Sequence, residues 1–326
     1  MLTNLDAPHP PALLRKALGP RWEHMVDGAD LEMRQRDHGT RYHPPRRTPP
    51  WPELLAMIEK TFAEQGVLQA PCLPLCWGRE TELTISAVQA LDFLLREGRP
   101  VPYHRGFPAQ PVVCFTGQRN ADDTLRNRFL TSFVNVSRVE PIQDTAEYAT
   151  ILDELLTVLS RLGMHARHIS VHGLVTVWRR SEAQGITLRF RHADLPLGDT
   201  VLHWNATNPA RMAVDLGSAL KRLAWARSRL PWRDLIFGPW ARTAPRNILD
   251  ALRTATLLLG DGTTPTARGA GSITRRVLAT VPADHSPFGF SAVIRAHHEF
   301  WSAVTALPVA WPETTHVLEA ELGVQR

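Results

Sequence analysis

Ala213-Val214-Asp215-Leu216-Gly217-Ser218-Ala219-Leu220-Lys221-Arg222-Leu223 is the stretch on which the reading of this chain turns. Its first half suits the end of a strand. From Leu220 the stretch reads as a helix carrying Leu220, Leu223 and Trp225. A strand therefore runs into a helix here, through a turn expected at Gly217. Glycine lets a ligand approach the backbone closely. Asp215 on one side of that turn is suited to an ammonium group, and Arg222 on the other to a polyphosphate. Taken alone, the same residues also describe an ordinary Asp-x-Gly turn followed by a surface arginine.

Upstream, Ala166 to Trp178, Thr187 to Arg191 and Thr200 to Trp204 read as strands. Before them, Asp144 and Glu147 form a capping-box-like start for a helix that buries Ile151, Leu155, Leu156 and Leu159 and stops at Gly163. Pro111 to Phe115 and Arg128 to Ser137 read as a strand pair joined by the polar loop Gly117 to Asn127. Helices are expected over 51–66 and over Thr84 to Arg96. Residues 1–50, rich in Pro, His and Arg, should be loosely organised around one short helix near Leu13 to Leu18. Downstream, Arg242 to Arg246 reads as a linker. The remainder is helical to about Leu322, with breaks at Gly260 to Pro265 and near Pro308 and Pro312. Strands and helices do not alternate regularly, and there is neither a G-x-G-x-x-G nor a G-x4-G-K-[ST] loop, which argues against a doubly wound or P-loop nucleotide site. The expected fold is α+β: a mostly antiparallel sheet flanked by helices, then a helical domain. The expected divisions are 1–50 as an extension, 51–241 as the sheet domain and 242–326 as the helical domain.

The chain has 326 residues, 44% hydrophobic and 21% charged, with a formal charge of +5. Arginine far outnumbers lysine, which favours phosphate-bearing partners through the guanidinium fork, although a mildly basic surface would look the same. Cys72, Cys76 and Cys114 have no second pair at metal-ligand spacing and should be free thiols. Met1 to Pro11 has no basic segment followed by an apolar run, and no apolar stretch is long enough to span a bilayer, so a cytoplasmic location is expected. His165, His168 and His172 lie on a predicted strand with His165 facing away from the other two, and no metal site is expected from them. His297-His298-Glu299 reads as a solvated helix face. No arrangement for covalent catalysis is readable.

The opening stretch resembles the third motif of the alanyl-tRNA synthetases, a class II family, which reads approximately V-D-T-G-x-G-L-E-R. Val214, Asp215, Gly217, Leu220 and Arg222 match in register, with Ala219 and Lys221 in place of the second glycine and the glutamate. Val112 to Asn120, followed by Arg128-Phe129-Leu130-Thr131-Ser132-Phe133, resembles the family's second motif. Phe129 stands where the family has His, and Val134-Asn135 where it has Glu-Met. Thr84-Ile85-Ser86 and Asp92-Phe93 resemble an F-T-I-A…D-F segment, and Leu195 to Trp204 the strand before the third motif. Leu249 to Arg253, then Gly260-Asp261-Gly262 to Pro265, Gly269, Gly271 and Arg275-Arg276 resemble the D-H-x-R…A-D-G-x-x-P-S-N…R-G-Y-x-L-R-R signature, with Ala251 for His and Thr266-Ala267 for Ser-Asn.

The resemblance, running from Thr81 to Leu278, implies a class II synthetase-like sheet and an adenylate-forming activity. It implies that Arg119 and Arg222 act on ATP, with Arg128 beside them and Phe133 stacking on adenine. Asp215 would bind the substrate amine, with Gly217 and Trp178 completing an amino-acid pocket. Arg253, Arg268, Arg275 and Arg276 would contact tRNA or another acceptor. The implied reaction joins ATP and a small amino acid (alanine, glycine or serine) to give an aminoacyl adenylate and pyrophosphate, with Mg2+ screening the phosphates and no metal held by the protein alone. The acceptor would be tRNA, a carrier protein or a small molecule, the last two suiting specialised metabolism. Neither a membrane nor DNA is an expected partner. The substitutions at Phe129, Val134, Ala219 and Lys221 suit a second reading, a non-catalytic nucleotide- or RNA-binding relative.

Overall fold

The computed structural model describes residues 14–16, 18–77, 82–84, 87–91, 95, 105–115, 120, 121, 125–282 and 289–323. The chain is α+β. It divides into two compact units that interleave in sequence: 1–71, 87–108 and 136–228 in the first, and 72–86, 109–135 and 229–326 in the second.

The first unit opens with a hairpin, β1 (Trp22–Asp27) and β2 (Asp30–Gln35). The composition of residues 1–50 conceals it, and the loosely organised extension expected there is corrected accordingly. Its signal is Gly28, which opens the two-residue turn Gly28-Ala29 at φ 58°, a conformation that glycine adopts without strain. Helix α1 (Trp51–Glu64) follows, starting at a proline-containing first turn. Later come α2 (Thr145–Arg161), β7 (Ile169–Leu174), β8 (Trp178–Arg180), β9 (Ala183–His192), β10 (Leu195–Asn205), β11 (Met212–Ala219) and α3 (Leu220–Ser228). Asp144 caps α2 by accepting from the Ala146 and Glu147 amides at 2.8 and 3.0 Å. Asp144→Ala should lower stability by about 1 kcal/mol, measured by urea unfolding of the full chain.

The second unit contains the short strands β3 (Cys76–Trp77) and β4 (Glu82–Leu83), and β5 (Ala109–Val113). Its helices are α4 (Trp232–Phe237), α5 (Arg246–Gly260), α6 (Gly269–Leu278), α7 (Phe290–Ser302) and α8 (Trp311–Glu321). Helix α5 is buried along its length and packs against α6, α7 and α8. Strand β6 (Ser132–Ile142) contributes residues to both units. It starts later than the alternation predicts. Arg128 takes a left-handed φ of 66°, and Phe129 N donates to Arg126 O at 3.2 Å, so residues 126–129 form a turn. The strand expected over Ala166 to Trp178 is likewise broken into a short 3-10 turn (Ala166–His168), β7 and β8.

The main sheet has the order β1-β2-β7-β9-β10-β11-β6-β5, with β8 on β9. The pairings from β1 through β11 are antiparallel. In the first unit one face is closed. Met33, Val171 and Phe190 form one buried row across it, and Leu31, Leu188, Thr200 and Leu216 another. Helix α2 packs against β11 on this face, with Tyr148 and Thr200 both buried. Period-2 alternation then places Asp215, Gly217, Asp199, Val201, His203, Thr187, Arg189 and His172 together on the opposite face.

Candidate active site on the open face of the sheet

Two rows of cross-strand neighbours build the site. In one, Asp215 on β11 stands opposite Val201 on β10, which stands opposite Thr187 on β9. In the other, Gly217 faces Asp199, Asp199 faces Arg189, and Arg189 faces His172. Gly217 lies inside strand β11, and α3 starts directly after Ala219. The turn expected at Gly217 is therefore corrected. The junction is sharp enough that Arg222, in the first turn of α3, reaches back to donate to Pro196 O at 3.3 Å, beside Asp199.

The electrostatics follow from this crowding. Burial pushes the half-buried Asp215 carboxyl up to about 7, and Asp199 pushes it the same way. Asp199 is itself raised by burial, an effect that Arg189 and Arg222 oppose. Burial lowers the Arg222 pKa, and Asp199 counteracts it. A carboxylate under such pressure gains from a bound ammonium group, which removes the cost of its buried charge.

Trp178 forms the side of this area. Its indole N–H donates to Thr187 Oγ1 at 3.0 Å, within the row of Asp215. Its ring packs on Gly185, where a Cβ would stand 2.4 Å from Trp178 Cζ2, so only glycine allows the indole to lie there. His203 meets the same indole edge-on at 5.5 Å. Burial lowers the His203 pKa to about 4, keeping it neutral. Asp199, Arg189 and His203 escaped the sequence reading. Their signal was alternation along β9 and β10, and it became informative only once the strand register was known.

Of the residues read from sequence, Asp215, Gly217, Trp178 and Arg222 belong to the first unit, on or beside this face. Arg119 lies outside the described residues. Arg128 and Phe133 belong to the second unit, Arg128 exposed in the turn before β6 and Phe133 half-buried on it. Phe129, nearby, lies under the Arg126 guanidinium at 4.8 Å.

In the second unit Arg253 is a core residue. It lies 4.1 and 4.6 Å from the ring centroids of Phe300 and Trp301, and burial lowers its pKa to about 9. Buried at 2% exposure, it is not placed for an acceptor contact, and that expectation is corrected. Arg268, Arg275 and Arg276 are exposed. Arg275 pairs with Glu321 at 2.7 Å, and Arg276 lies over Phe115 at 4.5 Å. Arg275 and Arg276 line a groove of 530 Å³ with Thr266, Ser272 and Glu321. The described residues contain no helix long and apolar enough to cross a membrane. Compared with protein-family models and with curated protein sequences, the chain matches none of either.

Proposed function

We propose that the open face of the sheet binds a small amino acid and ATP and forms an aminoacyl adenylate, in the manner of the class II synthetases that the sequence resembles. The observation that carries this reading is the strand–helix junction itself. It holds a strained carboxylate, Asp215, and a guanidinium, Arg222, on one face, with the Trp178 indole, packed over β9, as a wall two strands away. Asp215 grips the α-amino group. Trp178 and neutral His203 bound the side-chain space and restrict it to small groups. Arg222 neutralises the polyphosphate, and its link to Asp199 fixes where it does so. Arg119 supports the α-phosphate as the carboxylate attacks. Charge stabilisation of this kind dominates catalysis where no nucleophilic side chain takes part.

Mg2+ suits the donors present, because it binds through one or two carboxylates and substrate phosphates rather than a protein cage. Asp199 offers one such carboxylate, and when bound the ion supplies charge neutralisation on the phosphates. The acceptor is tRNA, a carrier protein or a small molecule.

The reading is tested by pyrophosphate exchange with purified protein, ATP, Mg2+ and single amino acids. Exchange with alanine, glycine or serine is expected, well above that with valine or leucine. No exchange with any standard amino acid would favour a nucleotide- or RNA-binding protein without catalysis.

A further inference from the structure

We infer that Arg189, Arg191, His172 and Ser170 form a second anion site on the open sheet face, which takes the phosphate monoester of the acceptor substrate. The word acceptor rests on the adenylation reading; the anion site does not. Arg189 faces His172 across the β9–β7 ladder, and Arg191 faces Ser170. The two arginines are two residues apart on one strand, so they share a face with His172 and Ser170, and Arg191 is held there by donating through Nη2 to Asp194 O at 2.6 Å. Glu32 and Arg34 of β2 flank it, opposite His172 and Ser170.

The charges on this face do not cancel. Glu32 is paired with Arg34 at 3.5 Å, and Asp199 is shared between Arg189 and Arg222. Around His172, the guanidinium groups of Arg34, Arg189 and Arg191 meet the Glu32 carboxylate, while Asp199 lies farther along the row towards Asp215, so positive charge is locally in excess. The imidazole registers it: burial, then Arg191, then Arg189 lower its pKa, and Glu32 raises it only in part. Such a local excess of positive charge suits a phosphate monoester, which carries about −1.5 to −2 at neutral pH, better than a singly charged diester or carboxylate. Arg189 and Arg191 lie about 10 Å from the strand that bears Asp215, two strand spacings away, and His172 and Ser170 about 14 Å, three spacings away. Those distances leave room for a small phosphorylated acceptor to present its nucleophile to an activated acyl group beside Asp215.

The test follows the His172 ring by NMR in the full chain, with inorganic phosphate, ribose 5-phosphate or an unphosphorylated dinucleotide. Both monoanion–dianion phosphates should bind saturably and raise the His172 pKa by about half a unit or more, because bound anion offsets the arginines. The dinucleotide, which has only a diester, should bind at least several-fold more weakly. Arg189→Gln with Arg191→Gln should abolish the response, and Arg189→Lys should keep part of it. No saturable response, or an equal response in the double glutamine variant, would overturn the site. Absence of pyrophosphate exchange with the phosphate response intact would instead remove only the adenylation reading.

Discussion

Asp215→Ala should cut amino-acid-dependent pyrophosphate exchange by about a hundred- to a thousandfold, the cost of leaving a buried ammonium without its partner. The loss should appear mainly in kcat/KM for the amino acid. The pH dependence follows from the raised carboxyl. With its pKa at about 7, Asp215 is increasingly protonated below neutrality, so kcat/KM for the amino acid should fall as pH drops from 8 to 6. Stability should move the opposite way. The folded state holds the Asp215 proton more tightly than the unfolded state, so folding is favoured at low pH. That advantage is lost as pH rises from the ordinary aspartate range through about 7. Asp215→Asn should therefore melt above wild type at pH 8, with the difference vanishing near pH 4. A side chain kept for structure alone would not be less stable than its neutral replacement.

Arg138→Ala should destabilise the protein by about 3–5 kcal/mol, which is the cost of breaking a buried charge network from one side. Arg138 and Glu140 are 3% and 0% exposed on β6. Arg138 donates through Nε to Glu140 and through Nη1 to Glu154 on α2, while Arg105 lies 2.9 Å from the other Glu140 oxygen. Gln65 at the end of α1 donates to Glu154 O at 3.2 Å, tying a second helix to the same point. Removing Arg138 leaves two carboxylates close together beneath α2. Urea unfolding should show the loss without a change in m-value. Replacing Arg138, Glu140 and Glu154 together with apolar residues of similar volume should recover most of it.

The two units differ in how plainly the sequence announces them. Helices α1, α2, α5 and α8 were legible because their apolar spacing and their breaks at glycine and proline act locally, whereas α6 and α7 were read as one helical stretch. Arg253 was misread because a charged side chain on a helix gives no local sign that Phe300 and Trp301, nearly fifty residues later, will enclose it. At the site, Asp215 and Arg222 were legible as a pair within a few residues of each other. Asp199, Arg189 and His172 were not, because their meeting depends on the register of three strands, which is long-range information.

The role of Asp215 is tested most directly by equilibrium binding of a non-hydrolysable alanyl sulfamoyl adenosine and its des-amino counterpart to wild type and Asp215→Asn. Loss of the amino group should weaken binding to wild type by about 1.5–3 kcal/mol, roughly ten- to a hundredfold or more, and scarcely affect the variant. The same loss in both proteins would show that Asp215 does not hold the amine, and would contradict the account.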